Sequence, residues 1–237
     1  MSKKPHYVNN KEFLAAMIEW NKKRNLAKDF GVTNVAVLER GWLGGGNVAR
    51  NTVTVRSNYM RDQSVPFYVK SVELYEGLTK NLNFNMMHSK RTMIDVVLNY
   101  PKMRELRRRQ LVMDIYGSTY EQITTQRVRE LIPALTGGGP NSRLPIIGGM
   151  VHEDAGVNRH DAVAWGYARA ADALGVEMHE QTGVLSVTRK PDGSVSGVET
   201  IKGKVKAKKV VVAVSCHTTT LTETVGLKLP LRTMNLT

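Results

Sequence analysis

Cysteine is almost missing from this 237-residue chain, with Cys216 its sole example. A lone thiol excludes an internal disulfide framework and fits a reducing compartment, where a small buried apolar side chain is its simplest role. Long hydrophobic runs are missing too. No stretch approaches the roughly 18 apolar residues that a membrane-spanning helix needs. The polar head MSKKPHYVNN is not followed by a signal-peptide core. These absences point to a cytoplasmic protein. There is no internal repeat and no low-complexity tract. His6, His88, His152, His179 and His217 have no metal-ligand spacing. No Ser–His–Asp or Cys–His arrangement can be argued from spacing either.

What is present is a core-forming composition with a basic excess. Hydrophobic residues make up 41% of the chain, enough for a packed body. The formal charge is +13. Such an excess suits nucleic acid, an anionic surface or an acidic partner. The positive residues are densest in KMRELRRR (Lys102–Arg109) and KGKVKAKK (Lys202–Lys209). Arg104, Arg107 and Arg108 fall at helical spacing, so they form one basic face. A solvated helix face is the simplest reading. A docking face for an acidic subunit or an anionic cofactor comes second. Nucleic acid comes last, because no basic motif here carries interleaved aromatics.

Periodicity outlines the elements. Lys11 to Asp29 reads as a helix, with Phe13, Met17 and Trp20 on one face. NVAVLE (Asn34–Glu39) is a short strand, and Gly41–Asn47 is a loop. Asp62–Leu82 is an amphipathic helix with Tyr68, Val72 and Tyr75 in register. Asn85–Leu98 reads as strand, and Pro101–Tyr116 and Thr124–Leu131 as helices. Thr136–Ser142 is a turn-rich connector. Leu144–His152 is extended, Asp161–Leu174 helical and Val176–Glu180 a strand. Val184–Arg189 and Val195–Thr200 form a hairpin around KPDG. Val205–Val214, ending in VVVAV, reads as a further strand. Strands alternating with helices and then a meander indicate an α/β architecture.

Three features carry candidate chemistry. In a dinucleotide-binding unit, a second parallel strand ends in an acid that accepts ribose hydroxyls. Glu39 fits that place, although many parallel strands end this way. The next loop, GWLGGGNVARNT, has three consecutive glycines that let backbone amides line a concave surface. Asn47, Asn51 and Thr52 add neutral donors, and Arg50 a cation. An ordinary flexible loop has the same composition. His160 immediately precedes a helix start, with Asp161 as its cap. Helix-end potential and Arg159 favour a neutral, nucleophilic imidazole there, against a plain surface or capping role.

From Leu26 to about Pro230 the chain resembles the sarcosine oxidase beta-subunit family, within the glycine-oxidase and D-amino-acid-oxidase-like flavoproteins. The matching stretches are AKDFGVTNVAVLERGWLGGGNVARNT, VRSNYM (Val55–Met60), RHDAVAWGYARAADALGV (Arg159–Val176), SGVET (Ser196–Thr200) and GLKLPL (Gly226–Leu231). The resemblance implies an α/β fold. It would be an incomplete FAD-binding domain (Rossmann-like, glutathione-reductase type) with part of an interleaved α+β substrate domain. It implies oxidative demethylation of sarcosine or a related N-methyl amine. It further implies noncovalent FAD, covalent FMN on His160, and alpha, gamma and delta-type partner subunits. Glu39 and Arg40 would meet the FAD ribose. Gly45, Gly46, Asn47, Arg50, Asn51 and Thr52 would lie along the FAD, Val184 would offer backbone to adenine, and Arg56 would face the substrate.

The sequence departs from that pattern in three ways. The family's first strand and its GxGxxG are absent, the C-terminal region is not reached, and Cys216 stands where the family has glycine near the cofactor. The expectation is therefore a truncated flavoprotein with weak FAD affinity, its family portion spanning residues 26–237. The head, residues 1–25, is foreign to that family. PHYVNNKEFLAAMIEWNKK (Pro5–Lys23) resembles the N-terminus of the late-transcription sigma factors of large tailed bacteriophages. This implies an alternative role, an interaction protein whose head helix docks on RNA polymerase.

Overall fold

The computed structural model describes residues 31–32, 34–135 and 142–230. The expected head helix, and most of the Thr136–Ser142 connector, lie outside the described residues. In chain order the elements are β1 (Ala36–Leu38), β2 (Thr54–Val55), α1 (Val65–Leu82), β3 (Ser89–Lys90), β4 (Met93–Val97) and α2 (Tyr100–Ile115). There follow β5 (Glu121–Ile123), α3 (Thr125–Leu131), β6 (Gly148–His152), β7 (Gly156–Val157) and α4 (His160–Asp172). The chain ends with β8 (Glu177–His179), β9 (Val184–Arg189), β10 (Val195–Thr200), β11 (Gly203–Lys206) and α5 (Thr218–Glu223). Among the described residues no helix is long and apolar enough to cross a membrane.

The elements fall into two compact units that are interleaved along the chain. Of the described residues, one comprises 31–32, 47–135 and 142–171; the other comprises 34–46 and 172–230.

The first unit is built on an antiparallel sheet of order β4-β6-β5. Its middle strand, GGMVH, is buried throughout. Gly149 is needed there, because a Cβ would stand 2.8 Å from Val128 Cγ2 of α3 and 3.2 Å from the Asp95 carbonyl. Its absence lets α3 lie close over the sheet. Val65, Val97, Met103, Leu106, Met113, Tyr120 and Met150 form the core. The helices begin where local chemistry allows. Asn99 Oδ1 accepts the Lys102 amide at 2.9 Å, and Thr124 Oγ1 accepts that of Arg127 at 3.2 Å. Arg104, Arg107 and Arg108 are exposed on α2, as a solvated face requires. A second small sheet, β2-β7-β3, is also antiparallel.

In the second unit β1 runs parallel to β8, and β9, β10 and β11 form a meander. The hairpin at KPDG is closed by Lys190 N–H on the Ser194 carbonyl at 2.8 Å. Gly193 at φ +83° supplies the left-handed residue of that turn.

Four expectations need correction. The strand expected over Asn85–Leu98 is two strands, because the Arg91 amide leaves the ladder for the Ala155 carbonyl at 2.9 Å. The helix expected from Asp62 starts at Val65, behind Ser64 and with Pro66 in its first turn. The helix expected from Asp161 already includes His160, so Asp161 is a first-turn residue rather than the cap. The strand expected over Val205–Val214 is confined to Gly203–Lys206. VVVAV has no ladder partner among the described residues, and Val211 is 79% exposed. An apolar pattern makes a strand only where a neighbour accepts its backbone bonds.

His152 ends the buried β6 and is wholly enclosed. Its Nδ1 donates to the Thr119 carbonyl at 2.6 Å, while Nε2 accepts the Ser57 amide at 3.2 Å. Both nitrogens are thus used by a neutral ring. Burial holds the imidazole below its ordinary value. The folded state then binds this proton less readily than the unfolded chain. Its stabilising contribution is complete above about pH 6.5 and is lost as the pH falls below it. The thermal midpoint should drop more between about pH 7.5 and 5.5 in the wild type than in His152→Asn; equal drops would refute this account.

Candidate functional site

A cavity of about 620 Å³ in the first unit lies between two helix faces. Its volume is within the range of small-molecule and cofactor sites. His160, Val163, Ala164 and Tyr167 line it from α4. Their spacing of three, four and seven residues puts them on one helix face. Phe67, Tyr68, Ser71, Leu74, Tyr75 and Leu78 line it from α1. Of the three residues expected in register there, Val72 is buried, while Tyr68 and Tyr75 turn to the cavity. The extended chain around β2 supplies Asn51, Thr52 and Arg56.

Four of the sequence-selected residues, Asn51, Thr52, Arg56 and His160, therefore meet at one cavity. Asn51 is held by its own turn, with Nδ2 donating to the Val48 carbonyl and Oδ1 accepting the Val53 amide. Asn47 and Arg50 bound the preceding 3-10 turn and are exposed. The other selected residues belong to the second unit. Glu39 follows β1, and its Oε1 accepts the Gly41 amide at 2.8 Å. Its own amide donates to the His179 carbonyl at 2.9 Å, extending the pairing of the parallel strands. Arg40 beside it is exposed, as is Gly46. A Cβ at Gly45 would come within 2.5 Å of the Trp42 indole nitrogen, so the exposed Trp42 ring would have to shift. Val184 opens β9 opposite Thr200.

Arg56 is held firmly. Its Nη1 donates to Asn58 Oδ1 at 2.6 Å, and its guanidinium lies 4.7 Å over the Tyr59 ring. Tyr59 stacks on Tyr68 with ring centroids 3.8 Å apart. Burial, then the neighbouring Tyr59, pushes the Tyr68 hydroxyl above its usual value. Asn58 is fully buried and donates to Asp95 Oδ2 at 3.3 Å. The same oxygen accepts the Tyr120 hydroxyl at 2.5 Å. A chain of bonds thus runs from the sheet to the cavity cation.

His160 stands at the first residue of α4. Arg159 is paired with Asp161 at 3.0 Å, so its charge is already balanced beside the imidazole. His160 Nδ1 is enclosed and has no partner among the described residues. Asn158 Nδ2 is in the same condition, while its Oδ1 is 2.8 Å from His88 Nδ1. Asn158 also lines the cavity. Sequence reasoning missed Asn158, Asn58 and Tyr59. Asn158 sits two residues before His160 in GVNRHDAV, which is the one signal that marked it.

Tyr120 supports this site from behind. Burial, followed by its bond to Asp95, raises its hydroxyl well above the usual value. The folded state therefore keeps the phenol proton where the unfolded chain releases it. This contribution is complete below about pH 10 and is lost as the pH rises beyond it. Alkaline unfolding should be less steep in Tyr120→Phe than in the wild type. Identical alkaline limbs would remove Tyr120 from this role.

Comparisons with known proteins add the following. The FAD dependent oxidoreductase family model (DAO) matches residues 24–236. Sarcosine oxidase subunit beta of Rhodobacter capsulatus is 39% identical over 211 residues, covering 89% of this chain and 50% of that protein. The same subunit of Rhizobium meliloti is 41% identical over 206 residues, covering 87% of this chain and 49% of that protein. The chain thus spans about half the length of the curated relatives it matches. Among solved structures, L-proline dehydrogenase from P. horikoshii superposes with a TM-score of 0.72 at 20% identity, covering 82% of this chain and 50% of that one. Glycine oxidase from Geobacillus kaustophilus gives 0.70 at 21% identity, covering 82% and 52%. These two likenesses show a shared fold. None of these matches supports the polymerase-docking alternative. By the extent of the model match, this chain belongs to the FAD dependent oxidoreductase (DAO) family.

Proposed function

We propose that this chain is a flavin-dependent amine oxidoreductase of the sarcosine oxidase beta-subunit type, acting on sarcosine or a related N-methyl amine. The observation that carries the reading is one cavity that gathers Asn51, Thr52, Arg56 and His160 against aromatic walls. The residues present fit a flavin. The cavity has the size and aromatic lining for a flat ring system, and His160 Nδ1 is an enclosed nitrogen without a partner. When bound, the flavin supplies the electron sink that accepts a hydride from the N-methyl group.

The chain's own groups do the rest. Arg56 holds the substrate carboxylate, its guanidinium fixed by Asn58 and Tyr59. An arginine so fixed loses little further freedom on binding an oxyanion. Tyr59, Tyr68 and Phe67 exclude water from one wall. His160 is the attachment point for FMN. Glu39, at the carboxyl end of a parallel strand, accepts ribose hydroxyls of noncovalent FAD, with Arg40 beside it. Gly45, Gly46, Asn47, Arg50, Asn51 and Thr52 line the FAD path, and the Val184 backbone meets adenine. Alpha, gamma and delta-type subunits complete the enzyme, and the basic excess suits contact with acidic neighbours. Residues 26–237 form the flavoprotein portion and residues 1–25 an extension.

The test is intact mass and visible absorbance of the full chain, produced with and without an alpha-type subunit. A mass gain of one FMN that disappears in His160→Ala is expected. Glu39→Gln should weaken FAD binding by about tenfold, the scale of one lost charge-assisted bond. A chain that takes up neither flavin in either setting would overturn the reading.

A further inference from the structure

A second cavity in the first unit, about 270 Å³, is lined by Arg56, Asn58, Tyr59, Met60, Arg61, Ser64 and Arg109. Three guanidiniums gather at this small site, Arg56 and Arg109 partly buried and Arg61 exposed, and their mutual repulsion is relieved by a facing negative charge. Their existing partners can be counted. Arg109 is balanced: its Nη2 is 3.3 Å from Glu105 Oε1 and its Nη1 is 4.0 Å from Asp95 Oδ2. Arg56 is bonded only to a neutral amide and an aromatic face. Arg61 has no ion pair among the described residues, and the adjacent Asp62 accepts the Tyr116 hydroxyl instead. Neither Arg56 nor Arg61 is thus paired with a carboxylate.

The Arg109 side chain is 17% exposed, and its Nε is enclosed, without a partner among the described residues, where a ligand in the open cavity does not reach it. Ser64 stands at the N-terminus of the 18-residue α1, yet its hydroxyl makes no capping bond. That helix end adds positive potential in the same direction. Guanidiniums bind oxyanions in paired, planar geometry, and the bonds strengthen when water is excluded.

We infer that this three-arginine cavity is a binding site for a compact dianion, a phosphoryl group or a small dicarboxylate. The two guanidiniums without an ion-pair partner, Arg56 and Arg61, set the ligand charge. Arg61 and Arg109 line this cavity and not the larger one. The inference therefore stands whether or not a flavin is bound.

Thermal unfolding and calorimetric titration of the full chain test it, using inorganic phosphate, malonate and sodium chloride at matched ionic strength. Arg61 is exposed and has no part in the proposed chemistry, so Arg61→Gln is the informative variant. Phosphate or malonate should raise the unfolding midpoint saturably, and Arg61→Gln should weaken the dissociation constant about tenfold or more. Saturation by phosphate alone assigns a phosphoryl ligand, and by malonate alone a dicarboxylate. Absence of saturation by either anion, an equal effect of chloride, or an unchanged response in Arg61→Gln would overturn the site. Flavin absorbance in the same samples reports the larger cavity separately, so failure of one reading is not failure of the other.

Discussion

A single carboxylate oxygen, Asp95 Oδ2, ties the sheet of the first unit to its binding surface. It accepts the Tyr120 hydroxyl and the Asn58 amide, and Arg109 stands 4.0 Å away. Asp95 lies on β4 and pairs in register with Met150 of the buried β6. Asn58 lies on the extended segment that carries Arg56. The carboxylate therefore transmits the rigidity of a packed sheet to a cation that would otherwise sit on a flexible arm. Tyr120 and Asn58 bond Asp95 directly, while Arg109 stands at longer range with its Nε buried and without a partner among the described residues, so the network is not satisfied at every member.

The cavity beyond Arg56 follows from helix geometry. Two amphipathic helices each present a face with the three-four-seven repeat, and those faces meet across the extended chain around β2 instead of interlocking. Aromatic rings on α1 keep the walls apart. Small residues on α4, notably Ala164, leave room on the other side. Tyr59 and Tyr68 stack on each other, which stiffens the wall without closing it. The polar atoms left over, His160 Nδ1 and Asn158 Nδ2, occur where the chain turns into α4. Buried polar groups without partners are uncommon in folded proteins, and each calls for an explanation such as a functional role or a bridging water.

Legibility from sequence followed locality. The β9–β10 hairpin was readable to its end residues, because KPDG has only one good backbone path. The α2 helix was readable within one residue, because Asn99 and Pro101 mark its start. VVVAV was misread, since its state depends on a neighbouring strand and not on its own residues. Glu39 was found as the acid that follows a parallel strand, and His160 through the motif around it. Asn58 and Asn158 were not found. A buried amide is indistinguishable from a turn asparagine until its partners, here Asp95 and His88, are brought across 37 and 70 residues of chain.

Arg56 lines both of these cavities, and this sets how they interact. Its charge is held between them by Asn58 and Tyr59, not by a carboxylate, so its field is available on both sides. An anion bound beside Arg61 would spend part of that field. A carboxylate in the larger cavity would then meet a weaker attraction, and by thermodynamic reciprocity it would weaken the first anion by the same factor. The coupling needs no movement of a helix, because a guanidinium pinned to a buried amide cannot turn away from either side. Its strength depends on screening, since short separations within a desolvated wall preserve Coulomb interaction that bulk water would remove. The two proposed anion sites would thus compete for one cation.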